Sequence, residues 1–186
     1  METPQKIAVI GGGSWATALV KILCNNCAQV HWWMRSEEAI AHIQQFGHNP
    51  KYLQSVAFDT QQLVLSSDLK STLNAVDWVI IATPAAFLEE AFAGIGASEF
   101  ANKVVFSAVK GIVPAYNAIP ARFIHKSFGV PYDQIGPVLV AETKKKGDTT
   151  VVLRIPFDSK VQELVDLLEI GMVNQLKMII ATKEHS

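Results

Sequence analysis

The sequence has little cysteine, no excess of charge of either sign and no long apolar run. Only Cys24 and Cys27 occur, and no second pair or nearby histidine cluster completes a zinc or redox site around their C-x-x-C spacing. We therefore expect two reduced cysteines at a helix end. Sixteen basic residues oppose seventeen acidic ones, so no broad cationic surface is available for nucleic acid or anionic lipid. No apolar stretch approaches the roughly 20 residues of a membrane span.

Histidine is equally uninformative, because the five histidines form no H-x-x-x-H pattern and no triad-like group. We nominate none of them as a metal ligand or a catalyst. With 186 residues and 49% apolar content, the chain can bury one core of ordinary size and a small appended piece. These totals predict a soluble, cytoplasmic protein with one main domain that recognises a small molecule.

Short apolar runs alternate with segments of helical spacing through the first 130 residues. The pattern predicts strands at 6–10, 29–34, 63–68, 76–83 and 103–109, and helices at 15–23, 36–46, 69–75, 87–95 and 117–128. Strands that are separated by helices pair in parallel and are covered on both faces. The predicted fold class is α/β, a doubly wound and mostly parallel sheet of the Rossmann type.

The pattern weakens beyond residue 130. Residues 137–141 and 149–155 resemble strands on either side of a polar turn at 144–148, and we expect them to be antiparallel at the edge of the sheet. An amphipathic segment at 160–169 and a short apolar run at 173–181 follow. We predict a Rossmann domain over residues 1–155 and a short helical remnant over 156–186.

A glycine-rich turn follows the first predicted strand directly. Residues 11–16, GGGSWA, satisfy the G-x-G-x-x-G/A pattern between a buried strand and a helix. In that pattern Gly11 permits the tight turn, Gly13 lets a pyrophosphate approach the backbone, and Ala16 keeps the helix close to the strand. The N–H groups of Ser14 and Trp15 would face the anion. The turn predicts binding of NAD or NADP; the alternative is a turn that only packs tightly.

Arg35 stands at the end of the second predicted strand, where NAD-selective folds carry an acidic residue that binds the adenosine ribose. A guanidinium pairs with phosphate oxygens in a bidentate manner. Arg35 therefore favours NADP, through its 2′-phosphate, without excluding NAD. The alternative is a solvated arginine at the start of a helix.

Five separated motifs occur in an order that resembles the bacterial NAD(P)-dependent glycerol-3-phosphate dehydrogenase family. They are GGGSWATA at 11–18, WMR at 33–35, NPKYL at 49–53, ATPAAFL at 82–88 and AVKGI at 108–112. The NPKYL and KG elements are more specific than the glycines. The resemblance covers about residues 5–137, the N-terminal cofactor domain of the family.

The resemblance implies an oxidoreductase that interconverts sn-glycerol 3-phosphate and dihydroxyacetone phosphate and supplies phospholipid synthesis. It also implies the residues that line the cofactor site, namely Ser14, Trp15, Arg35, Pro84, Phe87 and Lys110. Lys110 would meet the substrate as well, and Gly136 would be a second substrate-binding position. A lysine at the carboxyl edge of a parallel sheet lies where ligands bind, and its ammonium can hold a substrate and polarise an oxygen. The resemblance allows for a homodimer.

Two departures from the family pattern concern catalysis. The segment 136–142 keeps only the family's glycine, proline and acid, and Val138 cannot donate a hydrogen bond to substrate. The family's acid/base lysine and phosphate-binding Arg-Asn pair lie in a large helical domain, for which the residues after 155 are few. Lys177 lies in a segment similar to the one that bears that lysine, without its asparagine. Lys177 is therefore a second catalytic candidate beside Lys110, with an ordinary helix lysine as the alternative.

Three functions remain open at this stage. The leading hypothesis is an NAD(P)-dependent enzyme of the glycerol-3-phosphate dehydrogenase type. The alternatives are an NAD(P)-binding module without catalysis and a related reductase that acts on a β-hydroxyacid or a ketopantoate-type substrate.

Overall fold

Six parallel strands form the central sheet of the protein. The computed structural model describes residues 6–137, 139–145 and 148–154. The strands of the sheet are β1 (Ile7–Ile10), β2 (Val30–Trp33), β3 (Leu63–Ser66), β4 (Trp78–Ile81), β5 (Val104–Ser107) and β6 (Ile135–Pro137), and their spatial order is β3-β2-β1-β4-β5-β6. That order is typical of the doubly wound dinucleotide-binding fold. The fold class predicted from the sequence is confirmed.

Five α-helices connect the strands and cover both faces of the sheet. They are α1 (Ser14–Cys24), α2 (Glu37–Phe46), α3 (Leu69–Asn74), α4 (Leu88–Ala91) and α5 (Pro120–Phe128). Val9 and Trp32 point into a core that α1 and α2 close, whereas Ala8 and Val79 point into a second core that α3, α4 and α5 close. Strands buried on both faces explain why the apolar runs of the sequence are continuous and do not alternate.

Local side chains cap the starts of α2 and α3. The hydroxyl of Ser36 accepts a hydrogen bond from the N–H of Ala39, and the carboxylate of Asp68 accepts one from the N–H of Ser71. The predicted helix at 117–128 begins later, at Pro120. The residue before a proline avoids the helical region, and Ile119 accordingly has an extended backbone.

The helix predicted at 87–95 is wrong in length. A 3₁₀ turn spans Ala85–Phe87, and α4 ends at Ala91 after a single turn. Gly94 has a φ of 79°, which a continuing right-handed helix does not allow. The segment keeps its apolar contacts without helical regularity, since Leu88 and Phe92 are both buried.

The two strands predicted after residue 137 do pair in an antiparallel manner, but their predicted position at the edge of the main sheet is wrong. The edge strand is β6, which pairs in parallel with β5 and places Gly136 opposite Phe106. Pro137 ends this strand, because proline has no N–H to continue a ladder. The following strands, β7 (Leu139–Lys145) and β8 (Asp148–Arg154), pair only with each other in a separate two-stranded sheet. β7 and β8 extend into the range predicted as a turn, 144–148, of which residues 146 and 147 lie outside the described residues.

Within these described ranges, no helix is long and apolar enough to cross a membrane. The same residues contain no group of three or more histidine, cysteine, aspartate or glutamate side chains that could hold a metal ion. The predicted boundary at residue 155 and the helical remnant after it lie outside the described residues.

Candidate functional site

A cleft of about 450 Å³ opens at the carboxyl ends of β1, β2 and β4. The strand order reverses between β1 and β4, and ligands of open α/β sheets bind at such a point. The walls come from the glycine turn, the end of β2, the loop after α2 and the segment after β4. The lining residues are Gly11, Gly12, Gly13, Trp33, Met34, Arg35, Ser36, Ala39, Asn49, Pro50, Lys51, Tyr52, Thr83, Pro84, Phe87, Glu90 and Ala91.

Gly11 forms the floor of the cleft and cannot carry a side chain there. Its φ is 142°, and a Cβ would lie 2.9 Å from the backbone carbon of Ala82, the residue that follows β4. The indole N–H of the buried Trp32 donates to the carbonyl of Gly11 at 2.7 Å. The turn is thus held between two neighbouring strands, and its close packing requires glycine.

Gly13 differs from Gly11, because nothing in the protein lies within 4 Å of the position of a Cβ. Its backbone is extended, with φ at −81° and ψ at −179°. Gly13 is also the N-cap of α1, and no side chain caps that helix and no acidic residue lies in its first turn. A helix start of this kind presents N–H donors and the positive end of the dipole to an anion. The open space at Gly13 therefore fits a pyrophosphate.

Asn49 fixes the loop after α2 to the glycine turn. Its side-chain amide donates to the hydroxyl of Thr17 at 3.0 Å and to the carbonyl of Gly12 at 3.3 Å, while its oxygen accepts from the N–H groups of Lys51 and Tyr52 at 3.0 and 3.1 Å. Asn49 is only 2% exposed. These bonds hold Lys51 and Tyr52 at the edge of the cleft, so that one buried amide determines the shape of that wall.

Arg35 and Glu90 face each other at the cleft. The guanidinium Nη1 of Arg35 lies 2.8 Å from Oε1 of Glu90. Arg35 follows β2 and Glu90 lies in α4, so the pair joins two βα units. The side chains are 73% and 65% exposed, and in such a position an ion pair contributes little to stability.

The cleft brings together some of the residues that the sequence predicts for the site. Gly11, Gly13, Arg35, Pro84 and Phe87 line it. Phe87 is 51% exposed, so the cleft has an apolar surface at this residue.

The remaining predicted residues lie elsewhere. Ser14 and Trp15 open α1, and Ala16 is buried in the core beneath the turn. Lys110 is exposed after β5, and Gly136 is buried in β6; neither lines the cleft. Lys177 lies outside the described residues.

Asn49 and Glu90 are among the lining residues that the sequence did not assign to the site, and both make contacts that shape the cleft. Asn49 had a signal, since it begins the NPKYL motif, but its burial and its bond to Thr17 depend on a contact across 32 positions. Glu90 had none, because its contact with Arg35 spans 55 positions.

Comparison with known proteins identifies the family to which the chain belongs. A family model described as the NAD-dependent glycerol-3-phosphate dehydrogenase N-terminus matches residues 6–161. The chain belongs to this family. The match extends beyond residue 137, where the resemblance in the sequence motifs ends.

Individual relatives agree with the family model. A glycerol-3-phosphate dehydrogenase [NAD(P)+] of Oceanobacillus iheyensis is 29% identical over 95% of this chain and 56% of its own length. The corresponding protein of Ectopseudomonas mendocina is 36% identical over 60% of this chain and 32% of its own length. A solved glycerol-3-phosphate dehydrogenase of Plasmodium falciparum has a TM-score of 0.63 at 27% identity, with 75% of this chain and 41% of that one covered. The chain thus spans about a third to three-fifths of the relatives it matches.

Proposed function

We propose that this chain forms the cofactor-binding part of an NAD(P)-dependent glycerol-3-phosphate dehydrogenase. The observation that carries the proposal is the uncapped start of α1 beneath an open Gly13, at the point where the strand order reverses. Family membership supports the same assignment. The substrate would be glycerol 3-phosphate, as the relatives' names indicate, and its oxidised partner would be dihydroxyacetone phosphate, as the family resemblance implies.

The described residues fit a dinucleotide in distinct roles. The backbone of Gly12 and Gly13 and the N–H groups of Ser14 and Trp15 would hold the pyrophosphate. The carbonyls of Gly12 and Gly13 each accept a hydrogen bond, from Asn49 and Thr17 respectively, so the turn is oriented before a ligand arrives. When bound, NAD(P)H supplies a hydride to a carbonyl carbon.

Pro84 and Phe87 would provide the apolar wall on the β4 side of the cleft. Lys110 would hold the substrate and donate a hydrogen bond to its oxygen, because it follows β5 at the carboxyl edge of the sheet. Gly136 is the second proposed substrate position, and Lys177 is the second proposed catalytic lysine.

We also propose a preference for NADP, which rests on Arg35 at the mouth of the cleft. A charge-assisted contact with a 2′-phosphate is worth about 1.5–3 kcal/mol, or a factor on the order of 10 to 100 in affinity. The substitution Arg35→Ala is expected to weaken NADPH by this factor and NADH much less.

Calorimetric titration of the purified chain with NADPH and NADH tests both proposals. Arg122→Ala is the matched control, because Arg122 is an exposed arginine on α5 away from the cleft. Absence of binding by either dinucleotide would overturn the proposed function. Equal weakening of both cofactors in the Arg35 variant would overturn the preference for NADP alone.

A non-catalytic NAD(P)-binding module is the second candidate. It is favoured by the position of Lys110 outside the cleft lining. Turnover of dihydroxyacetone phosphate separates the two. A cytoplasmic location and a homodimer stay predictions, and light scattering after gel filtration measures the second.

A further inference from the structure

Glu90 places its carboxylate beside Arg35, where we propose that the 2′-phosphate binds. Its carboxylate lies 2.8 Å from the guanidinium of Arg35, and both residues line the cleft. Glu90 lies on α4, which follows β4 and the segment with Pro84 and Phe87. Arg35 follows β2, so the two residues approach the cleft from opposite sides of β1. The described residues thus place a carboxylate against the arginine that would select the phosphate.

We propose that Glu90 is a specificity-determining residue, which competes with the 2′-phosphate for Arg35 and so narrows the preference for NADPH over NADH. The inference rests on the proposed function, since it assumes that the cleft binds a dinucleotide. It assigns to a residue of α4 a role that sequence reasoning gave to Arg35 alone.

The competition follows from charge. A phosphate that approaches Arg35 must replace the carboxylate of Glu90 and then lie beside its negative charge. The 2′-hydroxyl of NADH carries no charge, and a carboxylate is an acceptor for such a hydroxyl. Glu90 therefore opposes NADPH and does not oppose NADH.

The exposure of the pair sets the size of the effect. Both side chains are largely in water, so the ion pair breaks at little cost and Arg35 remains available. We expect Glu90 to change the affinity ratio by about threefold to tenfold and not to abolish binding of either cofactor.

The substitution Glu90→Gln tests the role, because the amide has nearly the same shape and no charge. Glu89→Gln is the matched control, since Glu89 is the preceding exposed acid and does not line the cleft. Titrations use adenosine 2′,5′-bisphosphate and AMP, which differ only in the 2′-phosphate, together with NADPH and NADH. We expect Glu90→Gln to tighten the bisphosphate and NADPH by about threefold to tenfold, with AMP and NADH unchanged or weaker.

The double variant Arg35→Ala with Glu90→Gln measures whether Glu90 acts through Arg35. The gain from Glu90→Gln should be smaller in this background, because no guanidinium remains to be released. If Glu90→Gln raises the affinity for NADPH equally with and without Arg35, Glu90 does not compete for Arg35. If Glu89→Gln raises that affinity as much as Glu90→Gln does, the effect comes from net charge and the proposed role of Glu90 is overturned.

The two proposals fail in different ways. If the wild-type chain binds both dinucleotides and Glu90→Gln leaves the ratio of the NADPH and NADH affinities unchanged, only the role of Glu90 is overturned. Wild-type chain that is folded by circular dichroism and binds neither dinucleotide overturns the proposed function and this inference together.

Discussion

Gly11 and Gly13 are two positions apart and have opposite requirements. A side chain at Gly11 would meet the backbone of Ala82 at 2.9 Å, whereas a side chain at Gly13 would enter open space. The protein itself therefore explains the glycine at 11 but not the glycine at 13. The space above Gly13 acquires a reason only if a ligand occupies it, which is the physical basis for treating the turn as a binding site.

The substitution Gly13→Val separates binding from folding. The backbone of Gly13 is in a region that valine adopts readily, so we expect thermal unfolding within a few degrees of wild type. The branched side chain would fill the space proposed for the pyrophosphate, and the affinity for NADPH should fall below the range of calorimetry.

Gly11→Ala is the contrasting variant at the same turn. An alanine at position 11 would have a positive φ, and its Cβ would collide with the backbone of Ala82. We expect these two effects to lower the free energy of unfolding by at least about 1–3 kcal/mol. For Gly13→Val, the contrary result is a folded protein whose affinity for NADPH is unchanged. That result would show that the turn is not part of the binding site.

The surroundings of Cys24 and Cys27 keep both side chains in the thiol form. Both are free, and burial raises the pKa of the Cys24 thiol to about 12 and also raises the pKa of the Cys27 thiol. A thiol rather than a thiolate is a poor nucleophile and a poor metal ligand. The raised pKa values favour the thiol form at both positions, in line with the expectation of two reduced cysteines at the end of α1.

At the scale of elements, Asn49 joins the loop after α2 to the glycine turn and α1. We expect Asn49→Leu to lower the free energy of unfolding by about 1–3 kcal/mol, because it removes the partner of the Lys51 and Tyr52 N–H groups. The same change should weaken NADPH, since the cleft wall and the Gly12 carbonyl lose their restraint.

Asn74→Leu is the control for Asn49, because Asn74 is an exposed asparagine at the end of α3. Urea denaturation and NADPH titration of the two variants are compared with wild type. Asn49→Leu that matches Asn74→Leu in both measurements would show that the loop is held by other contacts.

Glu99 joins the 3₁₀ turn at Ala97–Phe100 to α3 in a pH-dependent manner. Hydrogen bonds from Lys70, Ser98 and the N–H of Gly96 lower the pKa of its carboxyl from 4.5 to about 2. A folded-state pKa below the unfolded value stabilises the protein above the unfolded pKa, and this contribution is lost as the pH falls toward 2.

We expect wild type to melt at a higher temperature than Glu99→Gln at pH 7, with the difference shrinking steadily below about pH 4.5. Thermal denaturation across this range measures the difference, with Glu89→Gln as the exposed-acid control. A gap between wild type and Glu99→Gln that stays constant down to pH 2 would contradict the assigned cause.

The sequence predicts elements well where the determinants are local. The strand at 6–10, the turn and helix that follow it, and the helices predicted at 36–46 and 69–75 each depend on a few neighbouring residues, and each is confirmed. Pairing across the sheet is not local, so the edge position of β6 was not predicted, and the predicted antiparallel pair, β7 and β8, forms a sheet of its own and does not join the main one. The site divides in the same way, since Asn49 and Glu90 belong to it through contacts across 32 and 55 positions.

At the scale of the whole molecule, the doubly wound sheet explains how distant motifs form one site. The glycine turn, Arg35 and the segment from Thr83 to Ala91 follow strand ends, and parallel strands bring those ends to one edge. The loop after α2 joins them through the hydrogen bonds of Asn49 to Gly12 and Thr17. Cofactor binding thus needs only the fold described here. Catalysis needs more groups than the cleft contains.

Hydride transfer to a ketone requires a proton donor near the developing alkoxide and donors that anchor the substrate phosphate. Such groups are together worth several orders of magnitude in rate. Lys110 can supply part of this function, and the family resemblance assigns the other groups to a helical second domain. The chain spans 32% and 56% of the length of two relatives. We therefore expect the 186-residue chain to bind NADPH and to reduce dihydroxyacetone phosphate slowly or not measurably.

Steady-state NADPH oxidation by the purified chain measures this rate, with Lys110→Ala and Lys177→Ala as paired variants. Each removes one candidate ammonium from the same protein, and NADPH titration verifies that the cofactor site is intact. Rapid turnover that is lost in Lys177→Ala would contradict the prediction, because it would mean that this chain carries a working proton donor near its C-terminus. Rapid turnover that neither substitution changes would exclude both lysines from the mechanism and leave the proton transfer to groups that the cleft does not identify.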